Sequence, residues 1–220
     1  MNILLIILCG IILSGIWFGL NIIYNIFAAK MKLKFLERYS VLFSALLPTI
    51  LILQYSSLDL WKVASVKDWK SWLLVFATVV VTAGIVSRNE KKDSPAGRKL
   101  FQYAVDGIIM EVPQRMMMQS FLYTLLLNEG KNVWISPVLT AVVWCISICI
   151  QCVIMKQRFN RSVVYELLAS FVFSIGVGYA LLRTEFVGFT MVAHFFERLF
   201  STWVRKRRNI SREVPSDKKD

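Results

Sequence analysis

Seven apolar runs of roughly 16–28 residues recur along this chain, separated by short polar loops. A helix needs about 20 such residues to cross a bilayer. Of the 220 residues, 56% are apolar and 18% charged, against about 25% charged in a soluble globular domain. A soluble enzyme, a disordered chain and a disulfide-stapled secreted module all suit these values poorly. The expected fold is all-α, a polytopic transmembrane helix bundle of about seven spans at residues 4–28, 39–55, 72–87, 100–127, 133–155, 163–182 and 186–204. The first run has no basic stretch before it and exceeds a signal-peptide core, so a retained helix is expected.

The basic residues orient these spans. Of 26 Lys and Arg, 19 fall in the loops 29–38, 88–99 and 156–162 and in the tail after residue 204. Five fall in the alternate loops, and two, Arg115 and Arg198, lie inside spans. The positive-inside rule then places the N-terminus outside and the C-terminus in the cytoplasm. The net charge of +12 is accounted for by topology and anionic lipid, and nucleic acid need not be invoked. The segment 89–97 reads as the best linker. It divides the chain into an N-terminal part of three spans (1–97), a C-terminal core of four (98–204) and a basic tail (205–220) that is expected to be disordered. The loop 56–71 mixes Leu58, Leu60, Trp61, Val63, Val66 and Trp69 with Lys and Asp, the pattern of an amphipathic interfacial helix.

Cys145, Cys149 and Cys152 share one helix face. They read as packing residues rather than a thiolate metal site, because buried apolar thiols resist ionisation. Met116, Met117 and Met118 read the same way.

The informative residues are the ionisable ones at membrane depth, each costing about 2.5–3.5 kcal/mol to insert. The fourth span carries Asp106, Glu111, Gln114 and Arg115, and the seventh carries His194, Glu197 and Arg198. Glu111 and Arg115 are four apart and stack on one helix face. Pro113 between them frees a backbone carbonyl near Ile109 and is expected to kink the helix. His194, the one histidine of the chain, shares a face with Arg198 and stands close to Glu197. One His with one or two carboxylates is a thin metal site, since zinc normally takes three protein ligands and a water. These residues fit either an internal ion pair that fixes packing or a polar intramembrane chamber.

The order of these residues resembles the type II CAAX prenyl endopeptidase and bacteriocin-processing (CPBP) family of intramembrane proteases, over roughly residues 98–204. That family carries Glu-Glu-x-x-x-Arg, Phe-x-x-x-His and His-x-x-x-Asn on successive helices. Here the first motif reads Met110-Glu111-Val112-Pro113-Gln114-Arg115. Trp134-Ile135 and Thr140-Ala141-Val142-Val143-Trp144 resemble the run into the second, which puts Trp144 for Phe and Ile148 for His. Gly176-Val177-Gly178-Tyr179, Leu182-Arg183-Thr184 and Ala193-His194 follow the third region, with Arg198 in place of Asn.

The resemblance implies Glu111, Arg115 and His194 as catalytic residues, with His194 and Glu111 as ligands of zinc or another divalent metal. It implies a peptide or prenylated-protein substrate and a bacterial plasma membrane. Met110, Ile148 and Arg198 stand where the family keeps catalytic groups. Met110 cannot take a proton, and Ile148 can neither bind metal nor donate a hydrogen bond. If hydrolysis survives, Glu111 must serve as base and His194 must orient the water or the oxyanion, with Gln114 or Glu197 assisting. Three functions compete: an intramembrane endopeptidase, a lapsed relative that binds a peptide or partner as in bacteriocin self-immunity, and a small transporter or accessory subunit with Glu111, Arg115 and His194 along an ion path. Cleavage lost in Glu111→Ala and His194→Ala marks the first, partner binding spared by them the second, and solute movement in liposomes the third.

Overall fold

The computed structural model describes residues 2–88 and 95–213, with side chains as far as Arg207. Long apolar runs favour helix, because a backbone in lipid must satisfy its own hydrogen bonds. The described residues are mostly helical. The helices are α1 (Ile3–Lys30), α2 (Lys34–Arg38), α3 (Ser40–Tyr55), α4 (Trp69–Val86), α5 (Arg98–Glu111), α6 (Ser120–Asn128), α7 (Ser136–Ile154), α8 (Arg161–Thr184) and α9 (Gly188–Glu213). A π-helical segment, Val112–Gln119, joins α5 to α6 without a break. A single isolated antiparallel bridge, Trp61 with Phe186, is the only extended pairing among the described residues.

Four helical stretches are long and apolar enough to cross a membrane: Ile3–Lys30, Trp69–Val86, Val133–Ile154 and Arg161–Thr184. Apolar side chains also dominate the outside of the bundle, with Leu4, Phe76, Val153 and Phe196 all exposed. This is a helical membrane protein. Helix α8 packs between α4 and α7, α9 packs on α4 and α5, and α1 packs on α3 and α7. The π segment lies against α3 and α7 near the centre.

The apolar interior falls into three clusters. The largest gathers Trp17, Val112, Met117, Met118, Leu122, Val143 and Trp144 from α1, the central helix and α7. A second joins α4, α8 and α9 through Val75, Phe173, Val177 and Phe189. The third caps one end, where Leu58 and Leu60 sit on Leu181, Leu182 and Val187.

Several expectations meet a different outcome. The segment after α3 is a strap rather than an interfacial helix. It runs extended through Leu58–Lys62, pairs with the α8–α9 turn (Val187 N–H to Leu60 O at 2.9 Å, Lys62 N–H to Glu185 O at 3.0 Å), and then makes a 3₁₀ turn at Val63–Lys67. Its leucines do not alternate with charge on one helical face; they point into the end of the bundle, and backbone pairing takes the place of helix formation. The described part of the tail expected to be disordered, 205–213, instead prolongs α9, which continues to Glu213, and 214–220 lie outside the described residues. Six residues of the 89–97 linker, 89–94, lie outside the described residues. Asp106 is half-exposed rather than buried at membrane depth and is held by Arg38 Nη2 at 2.9 Å. It lies two turns into α5, at the end of the bundle that gathers the basic loops.

Candidate functional site

The central helix sets up the site. Pro113 has no N–H, so the Ile109 carbonyl loses its usual i+4 donor. The Val112 N–H takes it instead, and the chain relaxes into i→i+5 bonding for two turns. The proline thus opens a π segment, a form common at functional sites. Ser120 closes the segment, with both its N–H and its hydroxyl donating to Arg115 O.

One face of this helix carries Glu111, Arg115 and Gln119, and all three are fully buried. Arg115 Nε donates to Glu111 Oε2 at 3.3 Å, Nη1 to Gln119 Oε1 at 2.9 Å and Nη2 to Ser174 Oγ at 3.1 Å. The Gln119 amide donates to Gly178 O at 3.0 Å. Gly178 is glycine for a spatial reason: a Cβ there would stand 2.8 Å from Pro137 Cβ and 3.1 Å from Arg115 Nη1. A buried guanidinium is tolerable only when its donors are met, and α8 supplies what the helix itself cannot.

Helix α9 completes the cluster. His194 Nδ1 lies 2.6 Å from Glu111 Oε1. Arg198 Nε donates to His194 Nε2 at 3.4 Å. A guanidinium accepts nothing, so Nε2 must carry the lone pair and Nδ1 the proton. With Arg198 donating to Nε2, Nδ1 is the donor to the Glu111 carboxylate. Phe173 tilts against the ring with centroids 4.7 Å apart, and the fully buried Thr190 adjoins the carboxylate. Arg198 also lies over the Tyr103 ring, 4.4 Å from its centroid. Gly107 lets α5 approach: a Cβ there would stand 2.9 Å from His194 Cδ2.

The structure therefore brings Glu111, Arg115 and His194 into one contact cluster and sets Arg198 on its edge. The other sequence-derived positions lie apart. Gln114 is buried but makes no hydrogen bond to the three, and Glu197 pairs with Arg198 at 3.8 Å. Met110 and Ile148 pack on the apolar cluster around Trp17 and Trp144. Gln119, Ser174, Thr190 and Tyr103 escaped the sequence reading. Gln119 continues the 111–115 spacing by one more step of four, which was the available signal. The partners on α8 and α5 needed three dimensions.

The donor set suits a metal poorly. Among the described residues, no three of His, Cys, Asp and Glu come together. The two donors present bind each other, and the remaining His194 lone pair faces the Arg198 guanidinium, a cation where a metal ion would have to stand. The cysteines do not converge either: Cys145 bonds weakly to Leu167 O and Cys152 to Gln157 Oε1.

No known protein family, curated protein or solved structure matches the chain.

Proposed function

We propose that this is a seven-span protein of the bacterial plasma membrane, formed like the CAAX prenyl endopeptidase and bacteriocin-processing proteases, that does not cut peptides. In this reading it acts by binding a peptide or membrane partner, in the manner of a self-immunity protein. The N-terminus is outside and the basic end faces the cytoplasm. The central helix and α9 serve as spans despite their charges, because their polar residues turn inward.

One observation carries the reading: the His194 lone pair is occupied by Arg198 while both Glu111 oxygens are occupied by His194 and Arg115. A general base must reach a water, and a metal needs free lone pairs. Glu111 and Arg115 have no solvent-accessible surface, so neither is offered to a water. The cluster is suited to holding three helices in register.

The test is purification in detergent with zinc quantification, alongside cleavage assays on leader and prenylated peptides. The expected result is substoichiometric zinc and no cleavage, with a lower melting midpoint for Glu111→Gln and His194→Gln. Cleavage by the native chain that both substitutions abolish would overturn the proposal and restore the protease reading.

A further inference from the structure

Helix α9 is amphipathic in the inverted sense. Its buried face carries Thr190, His194, Glu197, Ser201, Thr202 and Arg205, while Phe196, Phe200 and Trp203 are exposed. Together with α4 the exposed aromatic face walls an apolar groove of about 500 Å³, lined among others by Trp72, Phe76, Val80, Phe196, Leu199 and Trp203. The groove follows α9 for roughly 16 Å, at 1.5 Å per residue, and has a tryptophan at each end.

The chemistry changes at the end near Trp203. Lys206 and Arg207 follow Leu199 and Trp203 at helical spacing and so continue the groove face beyond its apolar floor. Both are exposed, and Arg207 lies over the Trp203 ring, 4.3 Å from the centroid. An occupant must therefore be a hydrocarbon along most of its length and anionic at one end. A partner helix is too thick: with side chains it measures about 10–12 Å across, so the groove volume holds roughly one turn of it. A lipid chain meets both requirements, because tryptophan sits at headgroup depth and basic residues beside a span attract anionic headgroups.

We propose that the α4–α9 groove is a binding site for one anionic phospholipid, its acyl chain between the two helices and its phosphate on Lys206 and Arg207. This site is separate from the Glu111–His194 cluster and does not depend on whether the protein hydrolyses peptides.

The experiment is native mass spectrometry of the full chain in detergent, titrated with phosphatidylglycerol or phosphatidylcholine of matched chains. The native protein should retain phosphatidylglycerol roughly thirtyfold better, the scale expected for two basic groups beside one anionic headgroup. Lys206→Gln with Arg207→Gln should remove that preference and leave phosphatidylcholine retention unchanged. Leu199→Trp, which fills the groove and keeps both cations, should lower retention of both lipids. Equal retention of the two lipids by the native chain would overturn the proposal. So would equal binding of glycerol phosphate without chains, or cross-linking of Val80→Cys into a dimer across the groove.

Discussion

The two faces of the central helix solve the same burial problem by opposite means. Val112, Met117, Met118 and Leu122 meet Trp17, Val143 and Trp144 through shape alone. Glu111, Arg115 and Gln119 meet Ser174, Gly178 and His194 through directed bonds. Met110 and Glu111 are neighbours in sequence, yet one belongs to each region. An apolar contact tolerates replacement by anything of similar volume, whereas a buried charge tolerates only the partner that neutralises it. The polar face should therefore be fragile to single changes and forgiving of paired ones, and the apolar face the reverse.

The largest effect is expected at Arg115. Arg115→Met leaves Glu111 buried with no counter-charge, a change that costs about 3–5 kcal/mol in such settings. Adding Glu111→Met should recover at least half of the loss, because no uncompensated charge then remains. Chemical denaturation in detergent measures both. Should the double variant fall as far as the sum of the two singles, the pair would not be coupled and the contrast would fail.

On the apolar face, Met117→Ala opens a cavity in a fully buried position and should cost about 2–5 kcal/mol. Met117→Leu should cost less than about 1.5 kcal/mol, since volume is nearly conserved. No conservative change of that kind should rescue Glu111: Glu111→Gln keeps the shape and still loses the charge that Arg115 requires. A Met117→Leu loss as large as that of Met117→Ala would mean that this face too is chosen for specific contacts.

Glycine sharpens the comparison at smaller scale. Gly107→Ala would drive a methyl to within 2.9 Å of the His194 ring and 3.2 Å of Arg198 Cγ. The expected cost is about 1–3 kcal/mol from overpacking, with the imidazole displaced from Glu111. Gly84→Ala in α4 meets nothing within 4 Å and should stabilise by about 0.5–1 kcal/mol through helix propensity alone. Melting midpoints of the two variants, moving in opposite directions, are the readout.

What was legible in the sequence follows the same division. The helical runs were plain because each apolar stretch needs only its own residues to show it, and the Glu111–Arg115 pair was plain because its spacing is local. The contact of His194 with Glu111 spans 83 positions, and no local spacing links them. Ser174 was invisible, since one serine in an apolar helix has no local signature; what singles it out is the guanidinium across from it. The strap misled because alternating leucine and charge fits an interfacial helix as well as an extended segment. The choice was made by the groups on the α8–α9 turn, Glu185 and Val187, which offer backbone partners to Leu60 and Lys62.

The smallest effect separates the buried ion pair from an exposed one. At the strap end, Arg183 Nε donates to Asp68 Oδ2 at 2.7 Å, and the same carboxylate accepts from Ser71 Oγ at 2.7 Å and from the Lys70 N–H at 3.2 Å. These donors, Arg183 foremost, hold the Asp68 carboxyl down to about 2 from its ordinary 3.8. A depressed acid contributes stability that is fully present above its unfolded value and disappears as pH falls through its folded one. The tie from α8 to the start of α4 should therefore persist at pH 4 and be lost toward pH 2. It should also weaken with salt, because both side chains are open to solvent. The melting midpoint of the native chain minus that of Asp68→Asn, followed from pH 5 to pH 2, should be small, constant above about pH 4 and close to zero at pH 2. A difference that instead grew on acidification would show that Asp68 is destabilising where it stands, and that the α4 cap owes its position to the apolar contacts of Leu58 and Leu60 alone.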